Sequence, residues 1–172
     1  MIMRPGQQLL LPANPLFIWF SLLLALTVNV LPLGRLAWMP DVLALVLVFW
    51  SVHQPLRVGI GVAFAFGLAM DVQQTALLGQ HALAYTTLSY FAITIHRRLL
   101  WFSVPSQALQ VLPLFAAAHA IELAIRMIAG GAFPGFGAFI APVIECLLWP
   151  VVSVVLLAPQ RRAPDPDENR PL

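Results

Sequence analysis

The sequence predicts an all-α membrane protein, a bundle of about six transmembrane helices. Three observations carry that prediction. Of the 172 residues, 60% are hydrophobic and only 9% are charged. A soluble domain is about 25% charged, and so sparse a set of charges cannot clothe a soluble globule of this size. Long apolar runs alternate with short breaks rich in Pro, Gly and Arg, and the Arg residues fall mostly on alternate breaks. These features exclude a nucleic-acid binder, a disordered chain and an ordinary cytosolic enzyme. The net charge of +2 implies no acidic partner, and the single Cys146 forbids an intrachain disulfide or a CxxC motif.

The first span runs from Leu16 to Leu33 without a charge, and Asn29 is its only strongly polar residue. It lies too far from the amino end, and lacks a small-residue cleavage site, to read as a signal peptide. The second, Asp41 to His53, is fenced by Pro40 and Pro55 and is short for a crossing. It is open whether it crosses fully. The third runs from Val58 to Leu78, interrupted by Asp71, and the fourth from His81 to Ile95. The fifth, Val104 to Ile128, contains Pro113; the sixth, Phe136 to Ala158, contains Pro142 and Pro150. Neighbouring helices satisfy the carbonyls that such prolines free.

Orientation follows from Arg placement. With the amino end inside, Arg4, Arg57, Arg97, Arg98, Arg161, Arg162 and Arg170 are cytoplasmic, and only Arg35 and Arg126 are outside. That bias puts both ends in the cytoplasm and requires an even number of spans. The expected organisation is a cytoplasmic segment over 1–13, a six-helix domain over 14–158 and a polar, Pro-rich, disordered cytoplasmic tail over 159–172. Loops of about ten residues are too short for a separately folded module. No internal symmetry marks an inverted-repeat transporter.

Ionisable residues inside spans point to function, because each costs several kcal/mol unless paired or hydrated. Asp41 precedes an apolar run and reads as a helix N-cap. Gly59, Ala63, Gly67 and Asp71 recur every four residues, a stripe of small residues that lets another helix approach closely. Asp71 ends that stripe and reads either as a cap or interhelical bond, or as a ligand or partner contact. His81 and Tyr85, four apart, can share a face near it, as a junction between the third and fourth helices or as a binding site. His119, Glu122 and Arg126 share a face of the fifth helix. A short turn between Ile128 and Phe136 places Glu145 opposite His119. The expected pairs are therefore Glu145 with His119 across the hairpin and Glu122 with Arg126 along the helix. These four form either a polar clamp or a proton relay or substrate site.

Catalytic constellations fail: there is no HExxH and no GxSxG. Cys146 reads as a core residue. No cofactor or metal is expected. Trp38, Trp101 and Trp149 lie near span ends or Pro breaks and are expected as interface anchors, whereas Trp19 and Trp50 are expected to pack inside.

Taken together, several segments resemble the MreD family of bacterial rod shape-determining membrane proteins, over about residues 16–160. They are Pro40-Asp41 with the apolar run ending in Phe49-Trp50, then His53-Gln54-Pro55-Leu56-Arg57-Val58-Gly59, Gly67-Leu68-Ala69-Met70-Asp71 and Leu78-Gly79-Gln80-His81-Ala82-Leu83-Ala84-Tyr85. Gln107-Ala108-Leu109-Gln110-Val111 and Leu148-Trp149-Pro150 continue the series. The resemblance implies a non-enzymatic inner-membrane component of the cell-elongation machinery. Such a component maintains rod shape by binding MreC, beside MreB, RodA and its penicillin-binding transpeptidase. It also implies a fold similar to the S-components of energy-coupling-factor transporters, so the alternative is a small-molecule-binding transporter subunit. No catalytic residue is carried over. Pro40, Asp41, Gly67, Asp71, Gly79, His81 and Tyr85 stand as candidate family-motif or partner-contact positions.

Overall fold

Asn14 and Asp41 each begin a helix by accepting a backbone N–H with the side-chain oxygen. From these and the later starts, a computed structural model describes residues 13–31, 38–74 and 77–160 as six α-helices, with no strand among the described residues. They are α1 (Pro15–Val30), α2 (Val42–His53), α3 (Ile60–Gln73), α4 (Gln80–Leu99), α5 (Val104–Ile128) and α6 (Ala141–Leu157). A 3-10 turn over Phe136–Phe139 leads into α6, and another over Ala158–Gln160 ends it. The expected amino-terminal segment, the Arg35 loop and nearly all of the carboxyl tail lie outside the described residues.

Two helical stretches, Val104–Ile128 and Phe136–Gln160, are long and apolar enough to cross a bilayer; α1, α2 and α3 are apolar but shorter. The third helix stops at Gln73, short of the expected Leu78. Asp71 draws its carboxylate onto the start of α4, and the chain must turn there.

α2 is the centre. Every residue from Leu43 to Val52 is buried, the mark of a helix with apolar neighbours all round. It packs on α1, α4 and α6, while α3 lies on α4, α4 on α5 and α5 on α6. Two helices are tied to α2 by hydroxyls: Trp50 Nε1 donates to Ser21 Oγ of α1 at 2.8 Å, and Ser51 and Ser89 of α4 share a 2.8 Å hydrogen bond. Arg57, just past α2, donates to the Ala13 carbonyl before α1 at 2.9 Å and closes that end.

The tryptophans differ in part from expectation. Trp50 is buried, but Trp149 is also buried completely, with Nε1 donating to Gln107 Oε1 at 3.3 Å. Trp19 is 45% exposed, because α1 covers α2 with only one face. Trp38 and Trp101 are exposed. Cys146 is buried, with Sγ 3.0 Å from the Ala108 carbonyl.

Along the small-residue stripe, close approach occurs at Gly67. A Cβ there would stand 2.4 Å from Ala82 Cα and 2.8 Å from the His81 carbonyl carbon. Ala63 is fully buried beside it. Gly59 takes no part in the approach: it is the α3 N-cap, and its nearest obstacle is the Pro55 oxygen at 3.7 Å.

Gly67→Ala therefore has to push α3 off α4, at about 1–3 kcal/mol. Thermal melts in mild detergent should show a clear fall, whereas Gly61→Ala, with nothing within 4 Å, should melt at or slightly above the wild-type temperature.

Candidate functional site

Two polar sites are built where helix ends meet, and every sequence-singled acid lies in one of them. The first is the α3–α4 corner. Gly79 is the N-cap of α4, in the left-handed region at φ 103°, and has no side chain to cap with. Asp71 supplies the missing acceptor from α3. Its Oδ2 takes the N–H of Gly79 at 2.8 Å and of Ala82 at 3.3 Å; its Oδ1 takes the N–H of His81 at 2.8 Å. His81 Nδ1 adds a fourth bond at 2.9 Å. A buried carboxylate is tolerable only with such saturation, and a helix N-terminus favours it further. Tyr85 does not join Asp71. Its ring meets that of His81 edge-on, and its hydroxyl points elsewhere.

The second site gathers Asn29 (α1), Asp41 (α2 N-cap), Tyr85 (α4), His119 and Glu122 (α5) and Glu145 (α6). Asp41 Oδ1 accepts from Ala44 N at 2.9 Å and from Asn29 Nδ2 at 2.6 Å, while Oδ2 accepts from the Tyr85 hydroxyl. Asn29 Oδ1 returns to accept Val42 N at 3.2 Å. Glu145 Oε1 then accepts both the Asp41 N–H and His119 Nε2, each at 2.8 Å. One bonded chain thus joins α1, α2, α4, α5 and α6. Glu145 is fully buried, and its Oε2 has no hydrogen-bond partner among the described residues.

The turn between α5 and α6 places His119 beside Glu145, where equal depth in an antiparallel hairpin puts them. Glu122 departs from expectation. Its carboxylate lies 3.8 Å from His119 Nδ1, and no ion pair to Arg126 forms among the described residues. Arg126 is exposed and folds over Gly131, its Cγ within 2.8 Å of where a Cβ there would sit. Near a helix end, the long Arg side chain reaches outward more readily than it follows the helix face. Pro40 sits half-buried immediately before the Asp41 cap and fixes its approach.

Sequence reasoning passed over Asn29 as a partner. Its signal was available: it is the lone strong polar group of its span, and a hairpin leading to Pro40-Asp41 returns the chain to its depth. The role of Tyr85 carried no local signal, since Asp41 lies 44 positions away. Chemically, the arrangement is a set of bonded acceptors and donors. Among the described residues no group of three or more His, Cys, Asp or Glu is placed to hold a metal ion.

The family pattern described as rod shape-determining protein MreD matches residues 11–160. The rod shape-determining protein MreD of Haemophilus influenzae is 28% identical over 135 residues, covering 76% of this chain and 81% of that protein. No solved structure matches the chain.

The bonded chain predicts coupling. Combining His119→Ala with Glu145→Ala should cost less than the sum of the single losses, by about 1 kcal/mol as for polar contacts between membrane helices. Glu122→Gln and Arg126→Gln should instead add independently, within about 0.5 kcal/mol. Detergent unfolding of the four singles and two doubles decides both.

Proposed function

The chain belongs to the MreD family of rod shape-determining proteins, and on that premise we propose that it serves cell shape as a non-catalytic, membrane-spanning scaffold. The membership supports the role in cell shape. The finer reading is six crossings of the bacterial inner membrane with both ends cytoplasmic. The chain binds MreC and through it biases RodA and its penicillin-binding transpeptidase toward their active state, beside the MreB filament. Such a bias is a shift between states driven by differential binding.

One observation carries the scaffold reading. Asn29, Asp41, Tyr85, His119 and Glu145 are bonded to one another inside the bundle, so that five helices are held in fixed relation while many large apolar side chains face outward. A protein that works by presenting a surface needs that rigidity. The same bonds weigh against the transporter-subunit alternative, since Asp71, His81 and Tyr85 are all engaged internally. The short helices fit a crossing in company: α2 spans about 18 Å, and backbone of reduced length is tolerated in a membrane where protein surrounds it. The alternating helix directions put Arg57, Arg97 and Arg98 at one end and Arg126 at the other, in keeping with a cytoplasmic Arg excess.

Co-purification of the tagged full chain from gently solubilised native membranes tests the partner reading. MreC with the elongation synthases is the expected yield; an ATPase pair with a coupling membrane subunit would overturn it. Removing the gene should round the cells, and the wild-type chain should restore rods. Topology is read by thiol labelling in a Cys146→Ala background. Leu56→Cys should label only from the cytoplasmic side and Phe133→Cys only from outside, both positions being exposed.

A further inference from the structure

The end of the bundle where α4 passes into α5 has an unusual surface. Arg97 and Arg98 close α4, and neither guanidinium takes part in an ion pair or hydrogen bond among the described residues. Beside them Trp101 is 91% exposed, with Leu100 and Phe102 also exposed on the short connection. Two hollows meet at Arg98. One, of about 560 Å³, is lined by His96, Arg97, Arg98, Leu100 and Trp101. The other, of about 400 Å³, runs between the two helices and is lined by Ile95, Leu109, Gln110, Pro113 and Leu114 together with Arg98.

Depth orders these groups. Ile95 lies a turn of α4 deeper than Leu99, and α5 carries the groove from Leu109 to Leu114, about 7 to 15 Å along from its start at Val104. Pro113, inside α5, has no N–H to offer the Leu109 carbonyl. The combined surface is cationic and aromatic at its rim and, apart from Gln110, apolar beneath. That is the polarity of an amphiphile with an anionic head.

We propose that the α4–α5 groove is a binding site for an anionic phospholipid. The phosphate lies on the Arg97 and Arg98 guanidiniums, Trp101 packs at headgroup level, and one acyl chain descends along Leu109, Pro113 and Leu114. Guanidinium forks suit phosphate oxygens, exposed Trp favours the interfacial layer, and basic pockets between membrane helices take such heads. The site rests on the membrane-spanning reading but on neither the MreC partnership nor the choice of leaflet.

Native mass spectrometry of the full chain in mild detergent, titrated with phosphatidylglycerol and with phosphatidylcholine, tests it. Phosphatidylglycerol should stay bound at lower concentration than phosphatidylcholine. Arg98→Gln should weaken its retention roughly fivefold and the Arg97→Gln/Arg98→Gln pair several-fold more. Arg126→Gln, at the opposite end, should change nothing. Thermal melts of the variants should match wild type, as these side chains hold no structural bond. Equal retention of the two lipids, equal loss with Arg126→Gln, or full retention in the double variant would each overturn the proposal. So would displacement by millimolar inorganic phosphate, which would mark a free-phosphate site. Carbonate extraction of native membranes checks the spanning reading separately: release of the chain would sink that reading whatever the lipid titration gives.

Discussion

Asp41 holds three hydrogen bonds on its carboxylate and a fourth on its backbone N–H, and the arrangement of the helices follows from them. α2 is short and starts half-buried at Asp41 and Val42, among α1, α4 and α6. Its first N–H groups must be met from within the protein or left at a cost of several kcal/mol. Asp41 meets one itself and Asn29 another. The carboxylate then has to be neutralised by donors, and these arrive from α1 and α4. Glu145 takes the Asp41 N–H, and His119 follows Glu145. Each helix that approaches α2 thus brings the group its neighbour lacks.

The corner at Asp71 obeys the same constraint from the other direction. Glycine at position 79 permits the sharp left-handed entry into α4 but leaves the helix uncapped. A carboxylate from the preceding helix repairs the defect, and the close contact at Gly67 lets α3 lie near enough to deliver it. Conformational freedom at one glycine and the missing side chain of another therefore serve a single acid.

Rules of short range were the ones legible in the sequence. α5 has the bounds its apolar run gives it, and the Asp41 cap follows from the residue type before an apolar stretch. The facing of His119 and Glu145 follows from a short turn between two long helices. What was not legible depends on who covers whom. Trp149 is interior and Trp19 is not because α6 presses on α2 and α5, while α1 offers α2 only one face; neither fact is written near those tryptophans. Four-residue spacing pointed Glu122 to Arg126, but Arg126 reaches outward and Glu122 lies beside His119 instead. Tyr85 belongs to Asp41 rather than Asp71 only because α2 and α4 lie side by side. For the candidate site, each acid could be found, but the partners of only some could be named.

The complete enclosure of α2 bears on how such a chain is made. A mostly apolar helix of 12 residues falls below the length that a membrane accepts as an independent span. On the spanning reading, α2 has no lipid-facing surface to stabilise it while its neighbours are still being synthesised. It must enter together with α1, and the Asn29–Asp41 contact is available as soon as those two segments have left the ribosome. The last bond of the set, from Glu145, closes only when α6 has been made. Biogenesis of the bundle is in this sense a sequence of polar closures around a helix that cannot be placed alone.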